Sequence, residues 1–157
     1  MEPTEPRECH AGEQRDSSPF DFDVFVSYRQ HEPELSWVRS VLCERLRSAG
    51  VRVFVDYRQF RLGAPLVKEM ERGVLQSAYT LLVATPAYFA SNFTEFENLL
   101  CQHLGLENGQ NRLLVIMREP CELALRLGYK LWLPMTSDEE VNENFPRLVD
   151  ALTSLPQ

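Results

Sequence analysis

The chain has 157 residues, a net charge of -7 and an apolar share of 44%. This length suits a single domain that can bury most of its apolar surface, and the acidic balance argues against a nucleic-acid binder, which normally carries a basic face. No apolar run is long enough to span a bilayer and no apolar leader with a cleavage site begins the sequence, so we expect no direct membrane insertion.

The cysteines and histidines give no sign of a metal site. The cysteines lack Cys-x-x-Cys spacing and stand at Cys9, Cys43, Cys101 and Cys121. They are typical of small free thiols in a reducing compartment, which predicts a cytoplasmic protein. The histidines are scattered, at His10, His31 and His103. We therefore expect no metal.

The chain begins with a polar stretch and then a strongly apolar strand. Residues 1–19 carry prolines, serines and charges with almost nothing to bury, which favours a mobile tail, and residues 20–157 form the predicted domain. Within Phe20–Arg29, the run Val24–Val26 lacks polar alternation, as in a strand buried on both faces. We interpret it as the central strand of a parallel sheet.

The next segments predict a helix, a strand and a loop. Pro33 opens the helix and Gly50 closes it. Its apolar face recurs at three- and four-residue spacing and comprises Val38, Val41, Leu42 and Leu46. A second strand, Val51–Val55, ends at Asp56, and the polar segment Tyr57–Pro65 is predicted to be a loop at the edge where the first strand ends.

The rest of the chain continues the alternation. The next helix ends near Ser77, and its face comprises Leu66, Met70, Val74 and Leu75. The later predicted elements are strand Tyr79–Ala84, helices Pro86–Ser91 and Phe93–Leu104, strand Leu113–Met117, helix Pro120–Leu127, edge strand Tyr129–Leu133 and helix Asp138–Leu155. This order predicts an α/β domain, a flavodoxin-like three-layer sandwich whose five-stranded parallel sheet has the order 2-1-3-4-5.

Several classes of α/β protein are excluded by motifs that the sequence lacks. It has no Gly-x-x-x-x-Gly-Lys-Ser/Thr, no Gly-x-Gly-x-x-Gly after a strand and no Gly-x-Ser-x-Gly. The third strand ends Ala84-Thr85-Pro86, without the phosphoacceptor aspartate of a receiver domain. In a parallel sheet the ligand crevice lies beyond the carboxyl ends of the strands, so residues 27–30 are expected at its rim.

The motifs that are present resemble those of Toll/interleukin-1 receptor (TIR) domains. Asp23–Tyr28 resembles the opening strand of the family. Phe54–Asp56 followed by Gly63 resembles the second strand and the long BB loop, and the strand to Thr85 follows the third-strand pattern. Phe93–Glu97, which reads Phe-Thr-Glu-Phe-Glu, resembles the Trp-Cys-x-x-Glu signature. The resemblance covers nearly all of the predicted fold.

The sequence also departs from the family pattern. Phe93 stands where tryptophan is usual and Thr94 where cysteine is usual. The BB loop contains Gly63 and Pro65 but not the Pro-Gly pair of many receptor-type members. Asp23–Arg29 is closer to bacterial and NAD-cleaving animal members than to innate-immune receptors.

The resemblance implies an enzyme or a scaffold. In enzymatic members a glutamate at the position of Glu97 acts on NAD, which is a substrate rather than a cofactor, and breaks the bond between nicotinamide and ribose. The products are nicotinamide and ADP-ribose or a cyclic ADP-ribose. Glu97 is the implied catalytic residue, and the implied substrate-binding residues are Tyr28, Arg29, Phe60, Arg61, Leu62, Gly63 and Phe93.

Each of these residues also has a structural interpretation. The structural interpretation makes Glu97 an ordinary helix carboxylate, Phe93 a core aromatic and Arg29 a surface charge. Asp56 is expected to orient the BB loop. The second class of function is an adaptor that recruits other TIR domains in innate-immune signalling, without catalysis. In both classes the expected partners are other TIR domains, as a homo-oligomer or filament through the BB loop.

Overall fold

The computed structural model describes residues 18–90, 99, 112–122 and 131–154. Apart from its last two residues, the predicted tail of residues 1–19 lies outside these ranges. The catalytic candidate Glu97 and the substrate-binding candidate Phe93 also lie outside them. The same is true of most of the predicted helices Phe93–Leu104 and Pro120–Leu127.

The sheet has five parallel strands in the order β2-β1-β3-β4-β5, as predicted. The strands are β1 (Phe22–Ser27), β2 (Val53–Phe54), β3 (Ser77–Ala84), β4 (Leu113–Met117) and β5 (Trp132–Pro134). β1 is interior and pairs with β2 on one side and β3 on the other. The middle position belongs to β3, which corrects the prediction that β1 is the central strand.

The described helices lie between these strands and after the last one. They are α1 (Glu34–Trp37), α2 (Cys43–Ser48), α3 (Asp56–Gln59), α4 (Leu66–Gln76), α5 (Pro86–Ala90) and α6 (Asp138–Thr153). A π-helical turn, Val38–Leu42, joins α1 to α2. After α2, Gly50 takes a φ of +83°, the left-handed conformation that glycine adopts without strain. None of the described helices is long and apolar enough to cross a membrane.

Three element boundaries differ from the sequence prediction. The segment predicted as a loop, Tyr57–Pro65, begins within α3. The predicted strand Val51–Val55 pairs only over β2, because the Val55 amide donates to the side-chain oxygen of Gln59 instead of continuing the ladder. β5 lies closer to the C-terminus than the predicted Tyr129–Leu133.

The buried faces of two helices also differ from the apolar pattern. Val41 was expected in the core but is exposed, because the π turn places Cys43, and not Leu42, one hydrogen-bonded turn after Val38. On α4, Leu66 and Leu75 are exposed. The buried positions of α4 are Glu69, Gly73 and Val74.

Alternate residues of β1 pack into two hydrophobic cores, one on each face of the sheet. The helices over these cores and the sheet between them form the three-layer sandwich. Val24 and Val26 enter the core covered by α1, α2 and α6. Phe25 enters the second core, which includes Phe54 and Val74. Because both faces are covered, the strand is apolar on both sides.

We predict that Gly73→Ala destabilises the fold. A Cβ at Gly73 would lie 2.8 Å from Cδ2 and 2.9 Å from Cγ of Phe25. Such overpacking lowers the free energy of unfolding by about 1–3 kcal/mol. The better helix propensity of alanine raises it by only about 1 kcal/mol. Urea unfolding should therefore show a lower midpoint.

The matched control for this substitution is Lys68→Ala, which changes an exposed position of the same helix. A surface change of this kind is expected to stay within about 0.5 kcal/mol of the wild type. An unchanged or higher midpoint for Gly73→Ala would show that Phe25 can move away without cost.

Candidate functional site

The carboxyl end of β1 is joined to α5 by a buried hydroxyl pair. Ser27 Oγ and the Tyr88 hydroxyl oxygen are 2.8 Å apart. Tyr88 also donates its backbone amide to Thr85 Oγ1 at 3.1 Å, which fixes the start of α5 after β3. Burial raises the pKa of Tyr88, so its hydroxyl stays protonated. This contact spans β1 and β3 at the point where the order of the sheet reverses.

A second contact joins the end of β1 to the start of the BB loop. The Tyr28 hydroxyl donates to Asp56 Oδ1 at 2.7 Å and accepts from Arg39 Nε at 3.0 Å. Arg39 also reaches Asp56 Oδ2 at 3.4 Å. Burial, followed by the hydrogen bond to Asp56, raises the pKa of Tyr28. Asp56 therefore orients α3 against β1.

Arg29 faces the start of α1. Its Nη1 lies 3.4 Å from Oε2 of Glu34, a carboxylate whose side chain is only 2% exposed. The same nitrogen donates to the backbone carbonyl oxygen of Glu32 at 3.3 Å. Part of the charge of Arg29 is therefore already paired within the chain.

A small pocket of about 130 Å³ lies beside this ion pair. It is lined by Pro33, Glu34, Arg118, Glu119 and Thr136. The Arg118 guanidinium forms one fixed wall, since it donates to the Met135 carbonyl oxygen at 2.9 Å and stacks 4.4 Å from the centre of the Trp37 ring. Pockets that bury drug-sized ligands measure about 300–1,000 Å³, so this space is too small for a dinucleotide.

The first part of the BB loop folds inward. The Phe60 ring packs against Phe25 and Phe54, with centroids 6.2 and 6.1 Å apart. Phe60 therefore belongs to the edge of the second core, although the resemblance places it among the substrate-binding residues. The loop then turns outward. The Leu62 side chain is fully exposed, and the next residue, Gly63, takes the left-handed φ of +83°.

A buried carboxylate on α4 holds the loop between these two parts. Glu69 is 1% exposed and accepts from both the backbone amide and Nε of Arg61, at 3.2 and 2.9 Å. Arg72 donates to the same carboxylate at 2.7 and 3.2 Å, and it also donates to the Gln59 carbonyl oxygen. The hydrogen bonds from Arg72 lead the causes that lower the pKa of Glu69 to about 2.

The predicted site residues therefore point in three directions. Tyr28 contacts Asp56 directly, Arg29 faces α1 and Arg61 faces α4. Glu69 and its partner Arg72 are not among the residues that the sequence predicts for the site. Their i, i+3 spacing was the available signal, but this spacing is common on exposed helix surfaces and does not indicate burial. Among the described residues, no group of three or more histidine, cysteine, aspartate or glutamate side chains is arranged to hold a metal ion.

Comparison with curated proteins finds Toll-like receptors and proteins named NAD(+) hydrolase or 2' cyclic ADP-D-ribose synthase. Human Toll-like receptor 6 is 26% identical over 99 residues, which are 63% of this chain and 12% of the receptor. NAD(+) hydrolase TcpA of Theionarchaea archaeon (strain DG-70-1) is 33% identical over 78 residues, 50% of this chain and 23% of that protein. 2' cyclic ADP-D-ribose synthase BtTIR of Bacteroides thetaiotaomicron is 29% identical over 76 residues, 48% of this chain and 26% of that protein. Each match spans a minor part of the relative.

Solved structures share the fold. The TIR domain of the Toll-related Receptor TRR-2 from Hydra magnipapillata superposes with a TM-score of 0.70 at 24% identity, covering 85% of this chain and 99% of that one. A metazoan TIR-STING receptor from C. gigas gives 0.65 at 18% identity, covering 88% of this chain and 42% of that one. The family model described as TIR domain matches residues 24–149. The chain therefore belongs to the TIR domain family.

Proposed function

We propose that this TIR domain is an NAD glycohydrolase that becomes active when copies of the chain assemble. It breaks the bond between nicotinamide and ribose and releases nicotinamide with ADP-ribose or a cyclic ADP-ribose. The observation that carries the proposal is the organised edge where β1 ends, with the Tyr28 hydroxyl held by Asp56 and Arg39 beside an anchored BB loop. The relatives named NAD(+) hydrolase and 2' cyclic ADP-D-ribose synthase support it.

The chemistry needs one carboxylate near the sugar. Nicotinamide leaves as a neutral molecule, so no general acid is required, but positive charge builds on the ribose as the bond lengthens. A carboxylate that contacts the ribose hydroxyls stabilises this oxocarbenium-like state. We assign that role to Glu97, which stays a prediction because it lies outside the described residues.

Two residues at the end of β1 are assigned to the rest of the substrate. Tyr28 shapes this edge rather than offering a free donor, because its buried hydroxyl donates to Asp56 and accepts from Arg39. Arg29 is half-buried and carries guanidinium donors that match phosphate oxygens, although Glu34 already holds one of them. Water or the adenine then attacks the ribose, which decides between the linear and the cyclic product.

The proposal includes a homo-oligomer or filament in the cytoplasm. Docking through the BB loop is supported by three exposed apolar side chains that are close in sequence, Leu62 in the loop and Leu66 and Val67 at the start of α4. A reducing compartment suits the free thiols of Cys43 and Cys121, and burial raises the pKa of Cys43 to about 11.

We predict that Glu97→Gln lowers nicotinamide release from NAD by about 100-fold or more. The amide has the shape of the carboxylate but no charge to stabilise the ribose cation, and loss of one preorganised electrostatic group costs about this much. The measurement is nicotinamide formation by concentrated purified protein, with and without a crowding agent.

Glu95→Gln is the matched control, since it removes the same charge two residues away. It should keep activity within about threefold of the wild type, because the resemblance assigns no role in catalysis to this position. Equal activity of Glu97→Gln and wild type would exclude the catalytic role. A wild type that releases no nicotinamide even when clustered would exclude the enzyme.

The second candidate function is a TIR adaptor without catalysis. It is favoured by the same exposed side chains of Leu62, Leu66 and Val67, because apolar groups of this kind suit a protein surface better than a charged dinucleotide. Human Toll-like receptor 6 matches 63% of this chain and the relatives named for NAD or cyclic ADP-ribose chemistry match 48–61%, so the comparisons support both classes of function.

We predict that Leu62→Asp weakens self-assembly without lowering the stability of the monomer. The side chain is fully exposed, so the fold loses no packing, whereas a docked interface would lose an apolar anchor worth about 1–2 kcal/mol, or about tenfold in midpoint concentration. Concentration-dependent light scattering and thermal unfolding measure the two effects separately.

Leu75→Asp, at the other end of α4, is the control because Leu75 is half exposed and distant in sequence from the loop. It should leave the assembly midpoint unchanged. If both variants assemble like the wild type, the loop is not the docking element. If Leu62→Asp loses assembly and the wild type lacks NAD cleavage, the adaptor function stands alone.

A further inference from the structure

Glu69 is a charged side chain in a position that normally holds an apolar one. It lies on the buried side of α4, with Gly73 one turn further along the same face. Carboxylates are almost never buried unless they are paired, because the loss of hydration must be compensated. The partners of Glu69 therefore indicate what its burial requires.

Two arginines supply this compensation from different elements. Arg72 belongs to α4 itself, but Arg61 belongs to the BB loop and reaches Glu69 with both its backbone amide and its side chain. The Arg61 side chain is 67% exposed and yet points its Nε at the buried carboxylate. The loop thus lies against α4 at a residue whose side chain could otherwise extend into water.

The contact continues to the residue at the end of α3. Arg72 donates to the Gln59 carbonyl oxygen, and the Gln59 side chain accepts the amide of Val55 at 2.8 Å. Phe60 lies between these anchors, packed on the second core. Residues 59–61 are therefore fixed at each position, and Leu62 is the first residue that projects freely.

We infer that Glu69 is the positioning residue of the BB loop, holding residues 59–61 so that Leu62 is presented to a second copy of the chain. This inference deepens the proposed function and relies on it for the second copy and for the activity measurement, whereas the exchange measurement stands without it. Glu69 acts through Arg61 and Arg72, and no contact between Glu69 and substrate is required. Removing its charge frees the loop, so the docking-competent conformation becomes a smaller fraction of the population.

Asp23 serves as a control that separates the positioning of the loop from a general loss of stability. Asp23 is also a buried carboxylate, and it accepts the backbone amide of Arg52 at 2.8 Å and Nη2 of Arg52 at 2.9 Å. It therefore has the same arginine contact as Glu69. It lies near the amino end of β1, at the edge of the sheet opposite the loop.

The decisive experiment compares Glu69→Gln with Asp23→Asn by amide hydrogen exchange. Glu69→Gln should speed exchange of the Arg61 amide by about tenfold or more, since that amide loses its charged acceptor and the loop opens locally. Asp23→Asn should leave this amide at the wild-type rate and speed exchange near Arg52 instead. This measurement needs no substrate.

Assembly and activity form the second measurement. If only about a tenth of Glu69→Gln molecules hold the competent loop, the midpoint concentration for self-assembly and for nicotinamide release rises about tenfold. The maximal rate at saturating protein concentration should be retained. Asp23→Asn should lower the thermal midpoint without moving the assembly midpoint.

Arg61→Gln tests the same contact from the exposed side in case Glu69→Gln does not fold. It leaves Arg72 on the buried carboxylate and should also raise the assembly midpoint. The inference is overturned if Arg61 exchange or assembly responds equally to the changes at Glu69 and Asp23. A wild type that cleaves no NAD overturns the proposed enzyme, while the exchange comparison still decides the role of Glu69.

Discussion

A buried carboxylate must be paired with cationic groups to compensate for its lost hydration, and one of the two arginines that pair with Glu69 belongs to the BB loop. Arg72 alone, three residues along the same helix, leaves part of the carboxylate unpaired, and the amide and side chain of Arg61 complete it. Replacing a paired buried charge with a neutral group strands its partners, which costs more than the pair itself contributes. The conformation of the loop is therefore coupled to the packing of α4.

The packing of α4 in turn depends on β1. Phe25 fills the space beneath α4 so closely that Gly73 has no room for a Cβ, and Glu69 lies on the same buried side of the helix one turn earlier. Phe60 from the loop packs on the same ring. One aromatic side chain of β1 thus sets the depth of the helix and the start of the loop together.

The sheet could be predicted from the sequence because each buried strand is marked by an apolar run within its own segment. Runs such as Val24–Val26 are apolar on both sides only when both faces are covered, and the order of elements restricts the topology. The burial of Glu69 could not be predicted in the same way. A glutamate in a helix is normally expected to face solvent, and the burial of this one depends on an arginine from another element. The exposed Val41 has a similar origin, since the π turn that rotates it leaves no trace in the apolar spacing.

The proposed catalysis and the proposed docking place no competing demands on this loop. A flexible loop would order only on docking and would lose part of the binding free energy to conformational entropy, at about 1–2 kcal/mol for each backbone residue fixed. Residues 59–61 are already fixed in the monomer, so the cost left for assembly falls mainly on Leu62 and its neighbours. The exposed turn at Leu62, closed by the Ala64 amide on the Arg61 carbonyl oxygen, is then the part of the loop left for a second copy in the proposed assembly, while the Tyr28 hydroxyl and Asp56 stay in place at the end of β1. Under the proposed function, activity should rise with protein concentration because only this turn has to be completed by a neighbouring copy.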